Sequence, residues 1–224
     1  RSFHVTGVQT CALPIFNYQA HIDESHKDKH LQQGIGGRPT SFIGDWGLFL
    51  KANSALVGCG AEIQLRHPDR RNDHEVELAL VIGKTARFVK RDDALSYVAG
   101  YAIGLDMTVR GPEDRSFRKS PDTYAVLGPW LVTADAFDGL SAQVRCWVNG
   151  ELRQDGNAQH MIFDIPTLIE TCSRGITLYP GDIIATGTPA GVGMGLNPPQ
   201  YLSNGDVVRI EIEGLGAIAN TFVS

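Results

Sequence analysis

The sequence is poor in features that would announce a function directly. Its four cysteines, Cys11, Cys59, Cys146 and Cys172, are scattered without a CxxC pair, which excludes a zinc knuckle or a dithiol redox motif and fits a reduced, cytoplasmic setting. No apolar run approaches the length of a membrane span, so no membrane partner is expected. Basic residues do not dominate. Twenty Lys and Arg against 25 Asp and Glu give a net charge of -5, which argues against a nucleic-acid partner. There is no GK[ST] P-loop. Gly191, Gly193 and Gly195 do not open a helix, because Pro198 and Pro199 follow, so a dinucleotide fingerprint fails as well. His26 and His30 are four apart in HKDKH, but the glutamate of a zincin motif is missing. The candidate metal ligands are carboxylates, which disfavours a cupin-type site.

What is present is an ordinary globular chain of 224 residues, 42% hydrophobic and 20% charged, large enough for one ample core. Its 25 glycines lie mostly between short β-like runs and favour turns. Strands are expected at residues 49–51, 62–66, 75–82, 101–109, 130–133, 143–148, 182–186, 207–212 and 217–222, with a hairpin turn at Asn149-Gly150. Short helices are expected at 91–98 and 165–172, and residues 17–29 are helix-compatible. Residues 31–45 are Gly-rich and expected to be mobile, and 110–123 form a charged loop. The fold class is therefore α+β and β-dominated.

Residues 1–15 show no clean period and lack the basic start and apolar stretch of a secretory signal. They resemble a translated sequencing-adapter tail. The expectation is a non-native or disordered segment over 1–16, with a genuine first strand as the alternative. A single catalytic domain would then cover 17–224, with a lid near 17–45.

The most informative stretch is HEVELALVIG at residues 74–83. On a strand, Glu75 and Glu77 project to one face while Val76, Leu78, Leu80 and Ile82 form the other. Two like charges side by side repel, and a hard divalent cation removes the conflict. Solvated glutamates on an exposed face are the equal alternative. Asp106 stands among small residues on the non-bulky face of the 101–109 run, where a carboxylate is costly unless it binds a metal or pairs with Arg or Lys. Together the three would make a site of charge -3.

Three further groups are candidates. The strand over 182–186 runs into Gly187-Thr188-Pro189, whose hydroxyls and N–H groups suit an anionic or carbonyl oxygen, unless this is only a tight turn. His21 and Glu24 are three apart, either a general-base pair on one helical face or a surface ion pair. Lys51, Arg110 and Lys119 are the nearby cations, with surface solvation as the default for each. His74 points away from the carboxylates and reads as structural, and His160 is given no role.

These elements coincide with a known family. NYQAHIDE, LFLKANSAL, HEVELALVIGK, GYAIGLDMTVR, FRKS, VNGELRQ, MIFDIPTLIE and GDIIATGTPAGVG run in family order from Asn17 onward. The chain resembles the fumarylacetoacetate hydrolase family, in its shorter branch of acylpyruvases, oxaloacetate decarboxylases and oxo-heptenedioate isomerase/decarboxylases. The resemblance implies a β-roll of mixed sheets, a homodimer, and Mg2+, Mn2+ or Ca2+ on Glu75, Glu77 and Asp106. It implies a water-activating His21–Glu24 dyad on a lid and Lys119 at the substrate's oxyanion. Lys51, Arg110, Gly187 and Thr188 would bind a small 2-oxo acid. The implied reaction is metal-assisted C–C hydrolysis of an acylpyruvate through a pyruvate enolate. Oxaloacetate decarboxylation and dioate isomerisation are the alternatives, and a non-catalytic metal-binding β-domain is the rival of another class. The chain departs from the family after Arg110, where TVRGPEDRS replaces TARDxQ and Glu113 or the Gly111-Pro112 turn takes the glutamine position, at the substrate's distal end.

Overall fold

A computed structural model describes residues 11–14, 16–26 and 48–224. Short alternating segments separated by glycine turns build the strands. The order is β1 (Cys11–Pro14), α1 (Gln19–Ser25), β2 (Leu48–Lys51), β3 (Leu56–Gly58), β4 (Ile63–Gln64), β5 (Arg71–Asp73), β6 (Val76–Ile82) and β7 (Val98–Asp106). There follow β8 (Thr108–Arg110), α2 (Arg115–Arg118), β9 (Ala125–Thr133), β10 (Gln143–Val148), β11 (Glu151–Asn157) and α3 (Ile165–Gly175). The chain closes with β12 (Ile183–Ala185), β13 (Val207–Ile212) and β14 (Gly216–Val223).

A seven-stranded sheet has the order β2-β1-β12-β6-β7-β9-β3, a five-stranded sheet the order β11-β10-β13-β14-β4, and β5 pairs with β8. The pairs β1·β12, β3·β9 and β4·β14 are parallel and the others antiparallel, so both larger sheets are mixed. This is the β-dominated α+β architecture expected from the sequence. The apolar face of β6 (Val76, Leu78, Leu80 and Ile82) enters one core with Val144, Cys146 and Val148 of β10 and Ile210 of β13. The same core takes Ile165, Leu168, Ile169 and Cys172 of α3. Burial of each such side chain contributes about 1.5–3 kcal/mol. The opposite face of β6 is left to the carboxylates.

Local chemistry accounts for several boundaries. Asp164 caps α3 by accepting from Thr167 N at 3.0 Å, with Pro166 in the first turn. The β10–β11 hairpin turns at Asn149 (φ 51°) and Gly150 (φ 83°).

Three expectations are corrected and one is refined. The 101–109 run is not one strand: Met107 N bonds Tyr124 O at 2.9 Å, β7 stops at Asp106, and β8 turns away to pair with β5. The short helix expected over 91–98 forms as a 3-10 helix over Arg91–Tyr97. The charged loop contains α2, capped by Asp114, which accepts from Ser116 N at 2.9 Å. Cys11–Pro14 is a strand between β2 and β12, so the fold reaches back before Asn17; backbone pairing alone secures four residues too few to show a period. The stretch 31–45, and with it most of the expected lid, lies outside the described residues. No helix among the described residues is long and apolar enough to cross a membrane.

Candidate metal centre

The site is built by the register of β6 against β7. Val76 pairs with Leu105 and Glu77 with Gly104, and Asp106 N donates to Glu75 O at 2.8 Å. Asp106 thus faces Glu75 across the pair, and Glu77 is their neighbour on the same face. A carboxylate oxygen from each lies within 4.8 Å of the others, and all three residues are buried.

Cations surround this cluster unevenly. Lys119 Nζ bridges Glu75 and Asp106, and Lys51 Nζ binds Asp106 on its other oxygen. Arg110 Nη2 lies 2.7 Å from Glu75 Oε1 and 2.9 Å from Asp73 Oδ2, while its Nε donates to Asp73 Oδ2 at 2.9 Å. Burial alone would raise the Glu75 carboxyl, but Lys119 and Arg110 outweigh it and hold it well below the usual carboxylate range. Glu77 has no cation in contact among the described residues. Its partner is Gly187 N at 2.7 Å, and burial together with Asp106 pushes its carboxyl well above the usual range. Three buried hard oxygen donors, one of them lacking a counter-charge, fit a divalent cation.

The turn after β12 is tied to the cluster by glycines. Gly187 has φ +94°, and a Cβ there would stand 2.7 Å from the Asn17 Cβ. Thr186 Oγ1 donates to Leu78 O at 2.9 Å, which seats the turn on β6. Thr188 Oγ1 accepts from Gln154 Nε2 at 2.7 Å, leaving its own proton to donate. Gly191 (φ +104°) donates its N–H to Glu24 Oε1 at 2.8 Å, and a Cβ there would stand 1.8 Å from Arg153 O.

His21 and Glu24 share one face of α1, with Nδ1 and Oε2 3.4 Å apart. His21 is buried and close enough to Glu75 to lower that carboxyl. The Phe16 ring packs against the imidazole at 5.7 Å. Gly191 N ties Glu24 to the same turn whose Gly187 N holds Glu77, which sets the dyad beside the carboxylates.

The residues named as metal, catalytic or substrate-binding candidates lie in this neighbourhood, but their polar groups are spent differently. Lys51, Arg110 and Gly187 direct theirs at Asp106, Glu75 and Glu77. Lys119 is shared between two carboxylates, and its Nζ also stands 5.3 Å over the Phe49 ring. Glu113, at the departure after Arg110, turns to Arg70 with contacts of 2.7 and 2.8 Å.

Sequence reasoning missed three supports. Asp73 binds Arg110 and also accepts from Gly193 N at 2.7 Å and Met194 N at 3.2 Å. Gln154 accepts from Val76 N at 3.2 Å and donates to Thr188 Oγ1 and Pro189 O. Asn17 donates to Thr186 O at 2.7 Å and Phe163 O at 2.9 Å and accepts from Phe163 N at 2.7 Å. The last two sit inside the NYQAHIDE and VNGELRQ segments, which was the one available signal.

Comparison with known proteins agrees with this geometry. Residues 13–223 match the model of the fumarylacetoacetate (FAA) hydrolase C-terminal family. The chain is 53% identical over 208 residues to a maleylpyruvate hydrolase of Aquipseudomonas alcaligenes, covering 92% of this chain and 69% of that protein. It is 42% identical over 182 residues to the mitochondrial oxaloacetate tautomerase Fahd2a of Rattus norvegicus, covering 79% of this chain and 58% of that protein. The crystal structure of maleylpyruvate hydrolase from Sphingobium sp. SYK-6 in complex with manganese (II) ion and pyruvate superposes with a TM-score of 0.77 at 41% identity. That superposition covers 96% of this chain and 70% of that one.

Proposed function

The chain belongs to the fumarylacetoacetate hydrolase family, and from that membership we propose that it is a divalent-metal-dependent hydrolase of acylpyruvates. The observation that carries the reading is the convergence of Glu75, Glu77 and Asp106, with no cation in contact with Glu77 among the described residues, beside the buried His21 and half-buried Glu24. The 53% identity to a maleylpyruvate hydrolase supports this substrate class.

When bound to the three carboxylates, Mg2+ or Mn2+ would supply Lewis-acid polarisation of the 2-oxo acid and a counter-charge for the departing enolate. The chain's own residues supply the rest. His21 takes a proton from water attacking the distal acyl carbonyl, and Glu24 stabilises the resulting imidazolium. Gly191 N–H fixes Glu24 for that task. The Thr188 hydroxyl and the Lys119 ammonium stabilise the tetrahedral oxyanion. The C–C bond then breaks to give a carboxylic acid and pyruvate enolate, which is reprotonated to pyruvate. Lys51, with its three N–H groups directed at Asp106, Met107 O and Tyr124 O, acts as a positioning residue, as do Arg110 between Asp73 and Glu75 and Gly187 on Glu77, whereas Lys119 binds two carboxylates and keeps a third N–H for the oxyanion.

A second reading is proton transfer or decarboxylation on oxaloacetate, favoured by the tautomerase relative. It uses the same centre without an attacking water. Purified protein with Mn2+ would be given maleylpyruvate, acetylpyruvate and oxaloacetate, with and without chelator. Chelator-sensitive pyruvate release from an acylpyruvate that H21A loses supports hydrolysis. Turnover of oxaloacetate alone favours the second reading.

The reading includes a reducing, cytoplasmic setting, consistent with four unpaired thiols. It also includes a homodimer. Trp130 and Leu131 stand exposed on β9 as candidate contacts, and light scattering tests the mass.

A further inference from the structure

α2 is a single turn that presents three cations to one region. Lys119 follows it directly and reaches Glu75 and Asp106. Arg118, 8% exposed, donates from Nη1 to Thr108 Oγ1 at 2.7 Å. Thr108 lies two residues beyond Asp106, at the start of β8. Arg115 stands three residues before Arg118, on the same side of the turn.

The other guanidiniums near this helix have carboxylate partners. Arg110 holds Asp73 and Glu75, Arg70 holds Glu113, and Arg66 lies 3.2 Å from Asp122. Arg118 also borders an open cavity of about 480 Å3 that is lined by the Arg66–Asp122 and Arg70–Glu113 pairs, and it contacts no carboxylate itself among the described residues. A buried guanidinium without an anion is expensive, and burial with the like charge of Arg110 lowers it to about 10. Five N–H donors in a planar fork match a carboxylate, and a hydroxyl satisfies only one of them.

We propose that Arg118, seconded by Arg115, holds the distal carboxylate of a dicarboxylic acylpyruvate whose 2-oxo acid end lies at Glu75, Glu77 and Asp106. This rests on the acylpyruvase reading and adds the specificity within it. The substrate would span from the carboxylate cluster to α2, a helix fixed in place by Lys119 at one end and the Asp114 cap at the other. Acylpyruvates with a neutral tail would gain nothing from Arg118.

The test compares wild type with R118M on maleylpyruvate and acetylpyruvate. Expected is a rise in KM for maleylpyruvate of about 10- to 100-fold, with kcat and all acetylpyruvate parameters within about threefold. Mn2+ affinity and Tm, measured on the same samples, should stay near wild type. Equal losses on both substrates, or no change on either, would overturn the assignment. If R118M fails to fold, R118K serves, keeping the charge without the fork, with a smaller loss again confined to maleylpyruvate. Calorimetry with maleate on Mn2+-loaded protein separates this inference from its premise. If wild type cleaves no acylpyruvate, the acylpyruvase reading fails on its own. Maleate binding at least about tenfold tighter to wild type than to R118M still supports Arg118, and equal or absent binding by both contradicts it.

Discussion

Gly187 donates its backbone N–H to Glu77 Oε2 at 2.7 Å, and this is the hydrogen bond that one carboxylate of the cluster makes in place of an ion pair. The contrast with Glu75 and Asp106, each held by Lys119 and by a second cation, makes Glu77 the carboxylate of the cluster that a bound cation would serve most.

The first prediction follows from that asymmetry. Glu77→Gln keeps an acceptor for Gly187 and removes the buried ionisable group, which burial and Asp106 already disfavour in its charged form. Metal-free E77Q should melt at or above the wild-type temperature, while Mn2+ affinity falls by about 100-fold or more. Scanning fluorimetry and calorimetry measure the two. A destabilised variant that keeps its Mn2+ affinity would refute the ligand assignment.

The second concerns pH. The Glu77 carboxyl is raised by burial and by Asp106, so the metal-free fold favours its protonated form. That contribution to stability is full at low pH and is lost as pH rises through the raised value. Cation binding needs the carboxylate and strengthens over the same interval. The Mn2+-induced rise in Tm should therefore grow as pH rises above the usual carboxylate range. A shift that is flat across this range would contradict the account.

The third concerns Lys119. Its ammonium bridges Glu75 and Asp106 in the interior. Lys119→Met leaves both short of positive charge and should cost about 3–5 kcal/mol in metal-free protein, read by urea denaturation. Saturating Mn2+ should recover a larger share of stability in K119M than in wild type.

The fourth concerns Asn17, whose side chain joins α1 to the turn after β12 and to Phe163. Asn17→Ala leaves buried backbone groups unpaired and should cost about 2–4 kcal/mol. Because the same bonds set α1 against the turn, kcat should fall more than Mn2+ affinity does.

Much of the centre was legible because alternation on a strand is local information. Glu75, Glu77 and Asp106 follow from period two, and His21 with Glu24 from one helical turn. The register that brings Asp106 opposite Glu75 is a tertiary fact and could only be guessed. The same holds for Arg110: the resemblance implied substrate binding, and its pairing with Asp73 on β5 is one that no local pattern announces. Gln154 and Asn17 look like ordinary polar residues until their hydrogen bonds are traced across more than 30 and 140 positions of chain. Strands of three or four residues such as β1, β3 and β5 carry too few alternations to register as a period.

The most direct measurement of the central claim is the fate of solvent oxygen. Maleylpyruvate would be turned over with Mn2+ in H2(18)O, and the released acid analysed by mass spectrometry. The account predicts one 18O in the newly formed carboxylate of maleate, formed one-to-one with pyruvate and abolished in H21A. Substrate loss without a labelled acid would contradict it.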